Sequence, residues 1–227
     1  MDGTIGDAVV GMIPMIAGAA MVPGWTVLML LVLQRRDAVR AGSFLLGGVL
    51  AGRTTQVIAF GWLFASVSTA SHENASDLVS LAKVIVGVLM LVSTVRMAAH
   101  VPDHDVPPDK LLGRAKTVSP LALAGVGVFL VLVGTRQWMF ALGAMGVVTT
   151  SGVGPLAEIA LDGVYVLAAS LPLIVPLGIV ISGSSSGRRL LDRSAQLLQR
   201  HERSIVTVVS AVLGVFFLVQ GIGELTG

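Results

Sequence analysis

This chain contains no cysteine, which removes disulfides, zinc–thiolate sites, iron–sulfur clusters and thiol redox relays from consideration. Charge is scarce too: only 12% of its 227 residues are Asp, Glu, Lys or Arg, against roughly a quarter in a soluble domain. No Gly-rich phosphate loop ending in Lys-Ser/Thr, no nucleophile elbow and no zinc motif can be found, so no catalytic residue is assigned and no enzyme is expected. The opening "MDGTIGDAVVGMIP" lacks the positive n-region of a signal peptide and carries Asp2 and Asp7 instead, so the first apolar run is expected to stay as a span. A pI near 9.5 invites a nucleic-acid reading, but the net charge is only +2 and the basic residues sit between apolar runs; no nucleic-acid partner is expected.

What is abundant is hydrocarbon: 54% of the residues are hydrophobic and the mean hydropathy is +0.88. Apolar runs fall at about 8–33, 41–68, 79–99, 120–150, 155–182 and 204–225, each long enough to cross a bilayer as a helix. The alternation of barrel strands is absent. The expected fold is therefore an all-α integral membrane protein, one membrane domain of six transmembrane helices spanning residues 1–227.

Charge in the connections is one-sided. Counting Arg96, at the end of the third run, with the connection after it, twelve of the fifteen basic residues lie in the first, third and fifth connections, three lie within spans, and the other connections and termini hold none. The positive-inside rule then puts both termini outside and these three connections in the cytoplasm. In the fifth, Leu190, Leu191, Ala195, Leu197 and Leu198 recur at helical spacing among arginines, so 186–202 reads as an amphipathic basic segment at the cytoplasmic interface. In the third, His100, Asp103, His104 and Asp105 stand among Pro102, Pro107 and Pro108, which deny them a fixed geometry; a solvated loop is expected there, with no metal site. "VIVGVLMLV" at 84–92 resembles "AVLGVFFLV" at 211–219, a weak repeat that, over three spans, gives two inverted halves.

Charges inside the spans carry the functional reading. An arginine at the centre of a membrane helix costs about 2.5–3.5 kcal/mol on insertion scales, so it needs a partner or a task. Arg53 and Arg136 fall near mid-bilayer, and the guanidinium fork suits a phosphate, sulfate or carboxylate. Gln56 shares the face of Arg53, Gln137 follows Arg136, and Trp138 and Pro23 sit beside the expected helix breaks; together these six are the candidate substrate-binding residues. Glu158 and Asp162, four apart on one face, and Lys83 fall near the outer side as proton-coupling or ion-pair candidates. Pro14 and Pro23 are expected to interrupt the first span, Pro172 and Pro176 the fifth, and Gly134-Thr135 the fourth. Gly47, Gly48, Ala51 and Gly52 form a small-residue stripe for close helix contact, within the chain or across a dimer.

The order of these features resembles a known group. A proline-broken first span followed by "RRDAVRAGSFLLGGVLAGR", the fourth-span "VSPLALAGVGVFLVLVGTRQWMFALG" and the closing "RLLDRSAQLLQRHERSIVTVVSAVLGVFFLVQGI" are similar to the actinobacterial GAP family of the LysE exporter superfamily. The resemblance runs from about residue 8 to 225. It implies six spans in the bacterial inner membrane, a homodimer, and export of solutes or envelope glycolipids and peptidoglycolipids, often beside a larger lipid transporter. The family's usual Asn-Pro-Lys motif is changed: if its lysine corresponds to Arg136, Gly134 and Thr135 replace the other two residues. The expected function is export of an anionic or amphipathic envelope lipid, needing no cofactor. The alternatives are export of a small solute such as an amino acid, and a non-transporting role in assembling a larger lipid-export complex.

Overall fold

A computed structural model describes residues 4–20, 22–68 and 118–183, with helical positions at 84, 88, 91–92, 211, 214–215, 218–219 and 222–223. Apart from those positions, the third and sixth expected spans lie outside the described residues. So do Lys83, the third connection up to residue 117, and the basic segment 186–202.

The described elements are α1 (Ile5–Ala20), α2 (Pro23–Leu33), α3 (Ala38–Ser68), α4 (Pro120–Val133), α5 (Thr135–Thr150), α6 (Pro155–Ala169) and α7 (Leu171–Ile181). Their starts follow local chemistry. Thr4 and Asp7 cap α1 reciprocally, the hydroxyl of Thr4 accepting from the Asp7 N–H at 3.2 Å and the carboxylate accepting from the Thr4 N–H at 3.1 Å. Ser119 accepts from the Ala122 N–H at 3.2 Å, with Pro120 opening α4. Beyond α5, Gly152 adopts φ +66°, a left-handed conformation that glycine takes without penalty as the chain turns towards α6.

Among the described residues, α3 alone is long and apolar enough to cross a membrane. Up to four crossings result if α1–α2, α4–α5 and α6–α7 are each one bent span; their bends measure 56°, 69° and 65°. The proline expectations need correcting. Pro14 and Pro176 lie inside continuous helices, whereas the chain breaks just before Pro23 and Pro172. Proline restricts the residue ahead of it more than the residues after it: Val22, at φ −83° and ψ 105°, is extended, and Pro23 then opens the next helix. The sharpest bend needs no proline, because Gly134 at ψ 94° leaves the helical region between α4 and α5.

Two apolar clusters lie at opposite ends of the bundle. One joins α1, the later half of α3, α5 and α6, centred on Met12, Phe60, Phe140 and Tyr165. The other joins α2, the earlier half of α3, α4 and α7, centred on Met29, Leu45, Leu123 and Leu173. Each bent pair therefore changes cluster at its bend, and α3 passes from one to the other unbroken. The outer surface is apolar as well: Val10, Ile58 and Leu156 are 65%, 66% and 83% exposed, as lipid contact requires.

Close packing of α3 against α4 depends on glycine. A Cβ on Gly48 would overlap the Ala124 carbonyl, and one on Gly127 would lie 2.7 Å from the Leu45 oxygen. In lipid, where burial supplies little drive, such backbone approach is a main source of helix attraction. Gly48 and Gly52 are spent on this contact, while Gly47 and Ala51 face outward.

Candidate functional site

Between the two apolar clusters runs a layer of polar side chains. Arg53, the middle residue of α3, is fully buried there. Its Nη2 donates to the Ala19 carbonyl oxygen at 3.4 Å. That oxygen is available because of proline: in a continuous helix it would receive the N–H of residue 23, and Pro23 has none. It also lies at the carbonyl end of α1, where unpaired groups carry partial negative charge, so a cation belongs there. The match is incomplete. Arg53 Nε and Nη1 have no hydrogen-bond partner among the described residues.

The next turn of α3 serves the second break. Gln56 is buried, and its Nε2 donates to the Val131 oxygen at 3.0 Å. Trp138 Nε1 donates to the Leu132 oxygen at 2.6 Å, and its ring meets Phe60 edge-on at 5.4 Å and 81°. Val131 and Leu132 stand in the last turn before Gly134, where a helix leaves carbonyls without intrahelical donors. Side chains thus satisfy part of the broken backbone, which is what irregular structure at membrane depth demands.

Other polar atoms in this layer are buried without hydrogen-bond partners among the described residues. Gln137, in the first turn of α5, is 4% exposed and its Oε1 is unpaired. The Tyr165 hydroxyl of α6 lies near enough to interact electrostatically with the Arg53 guanidinium, yet short of hydrogen-bond geometry. Asp162, one turn earlier on the same face, is half-buried with Oδ1 unpaired, and Glu158 precedes it by another turn. The sequence Glu158, Asp162, Tyr165 makes a polar ladder along α6 towards Arg53. Among the described residues neither acid forms an ion pair with Arg53.

The placement of the sequence-derived candidates is therefore uneven. Arg53, Gln56, Gln137 and Trp138 come together in the mid-bundle layer, with Asp162 and Glu158 leading to it. Pro23 acts through the carbonyl it frees; its ring, like the side chain of Arg136, lies outside the described residues, though Arg136 belongs to the first turn of α5. Tyr165 was missed. It is the only tyrosine in the chain, and its signal was available: it continues the helical spacing of Glu158 and Asp162 into an otherwise apolar run.

A buried cation with two unpartnered nitrogens among the described residues, close to a phenol and to the end of a broken helix, is suited to hold an anion. The family model described as "Sap, sulfolipid-1-addressing protein" matches residues 12–223. The chain belongs to this family. That is the group anticipated from the broken first span and the "VGTRQW" region, and the match takes in the whole polar layer. No curated protein and no solved structure matches the chain.

Proposed function

We propose that this protein moves an anionic, amphipathic envelope lipid of the glycolipid or peptidoglycolipid type outward across the plasma membrane. Arg53 holds its head group at mid-membrane. The observation carrying this reading is the fully buried Arg53 with Nε and Nη1 unpartnered among the described residues. An arginine kept in such surroundings costs several kcal/mol unless hydrogen-bonded charge meets it, roughly the scale on which removing one partner of a buried pair is felt. A sulfate or phosphate ester offers two oxygens to the guanidinium edge and a third to a neighbouring donor. The Tyr165 hydroxyl, near enough to interact with Arg53, is the neighbour suited to that third oxygen. The family's link to a sulfolipid agrees with this chemistry.

Arg136 is a second cation for the same head group, placed where α5 begins and the helix dipole also favours an anion. Glu158 and Asp162 are candidate proton sites on the outward side, from which release is driven. A homodimer and a larger lipid transporter are the partners this reading anticipates. Reconstituted vesicles test it directly. A fluorescent sulfated glycolipid should cross between leaflets in a protein-dependent way, and Arg53→Met should abolish that movement. Equal movement by wild type and Arg53→Met would remove Arg53 from the mechanism.

A further inference from the structure

A second polar site lies about 20 Å along α3 from Arg53, at ~1.5 Å per residue, where α2 turns into α3. The turn holds Arg35, Arg36, Asp37 and Arg40, and these border a cavity of about 590 Å³ together with Leu30, Leu33 and Val180. The three arginines have different assignments. Arg35 is engaged by the protein: its Nε and Nη2 donate to the Asp37 carboxylate at 2.9 and 3.1 Å, and its Nη1 donates to the Val118 oxygen at 2.6 Å. This ties the turn to the chain entering α4 and uses the only acid among the described residues bordering the cavity. The Asp37 carboxyl is held below its usual range, first by that hydrogen bond, with Arg40 adding a smaller electrostatic pull. Arg36 and Arg40 remain exposed, with no ion pair or hydrogen bond among the described residues.

The result is a cavity with a cationic rim and an apolar floor. Leu30 and Leu33 come from the last turn of α2 and Val180 from the end of α7. A small soluble anion would use the rim and waste the floor; a neutral lipid would use the floor and waste the rim. We propose that this cavity binds an anionic phospholipid, its phosphate held by Arg36 and Arg40 and its glycerol and first methylenes lying over Leu30, Leu33 and Val180. Such a lipid is a resident of the membrane surface rather than the cargo held at Arg53, and the site stands whether or not the transport reading does. By the charge bias of the connections this is the cytoplasmic end, where basic clusters meet anionic head groups.

The test uses the full chain in detergent, titrated calorimetrically with dihexanoyl phosphatidylglycerol, dihexanoyl phosphatidylcholine and inorganic phosphate. Phosphatidylglycerol is expected to bind at least tenfold more tightly than either of the others. The double variant Arg36→Gln/Arg40→Gln, both positions being exposed, should fold normally and lose roughly 10–30-fold in affinity, about what two surface cations supply. Arg53→Met should leave this affinity unchanged. Undiminished binding by the double variant overturns the proposal, as does equal binding of phosphatidylcholine. Inorganic phosphate binding as tightly as the lipid would make it a free-anion site and also overturn it. Loss of binding in Arg53→Met alone would place the lipid at mid-membrane instead, whereas failure of the vesicle assay leaves this result untouched.

Discussion

Arg35 and Arg53 are the same residue type put to opposite uses. Arg35, at the end of the bundle, has its guanidinium answered by an adjacent carboxylate and a backbone oxygen. Arg53, at the centre, is the more deeply buried, yet one long bond to Ala19 is the only hydrogen bond it makes among the described residues. If burial alone decided pairing, the order would be reversed, since an unanswered charge costs most where water is excluded. The difference teaches that Arg35 fastens a turn, while Arg53 is answered only in part by the described residues, as the proposed head-group role requires.

The largest expected effect of breaking this contrast comes from Arg53→Met. Binding of a sulfated or phosphorylated lipid head group should fall about 100-fold or more, the scale of removing one member of a buried charge pair. Stability should move little, by no more than about 2–4 °C in melting temperature, because an apolar side chain of similar length replaces a charge whose desolvation is not repaid. A thermal melt and a lipid-binding titration on the same preparation read both numbers. Next comes Tyr165→Phe, which removes only a hydroxyl that forms no hydrogen bond among the described residues. Head-group affinity should drop roughly fivefold, as for one neutral hydrogen bond, with the melting temperature unchanged.

At the other end of the comparison the pattern inverts. Arg35→Gln should lower stability by about 1–2 kcal/mol through the lost bond to the Val118 oxygen, while leaving head-group binding at mid-membrane as it was. Denaturation followed alongside binding would separate the two. The smallest effect belongs to Asp37→Asn, seen best in its pH dependence. Because Asp37 titrates below its usual value in the folded chain, its contribution is present above about pH 4 and fades as pH falls through the lowered value. The melting difference between wild type and Asp37→Asn should be constant from about pH 5 to 8 and shrink below about pH 4.

How much of this was legible in the sequence depends on which physical property carried it. Among the described residues the helices followed from the apolar runs, and Arg53 stood out because a charge is conspicuous in hydrocarbon. All three breaks could be anticipated, from Pro23, Gly134 and Pro172. Pro14 and Pro176 misled, because a proline inside a helix ends it only if the residue ahead of it leaves the helical region, which depends on packing. Tyr165 was not legible as a neighbour of Arg53, since only the fold sets α6 against α3. Nor was the service Gln56 and Trp138 give to the Val131 and Leu132 carbonyls, because the broken end they reach is created by the bend itself. Helical spacing placed Gly48 and Gly52 on one face, but that they meet α4 rather than a second copy is a fact of tertiary structure.

The central claim is that Arg53 is held for an anionic lipid rather than for the fold. The most direct measurement is mass spectrometry of the lipids that co-purify with wild type and with Arg53→Met, joined to a thermal melt of each. The account predicts an anionic envelope lipid enriched with wild type and absent from the variant, with nearly equal melting temperatures. Identical lipid profiles, together with a variant that melts many degrees lower, would contradict it and make Arg53 a helix fastener like Arg35.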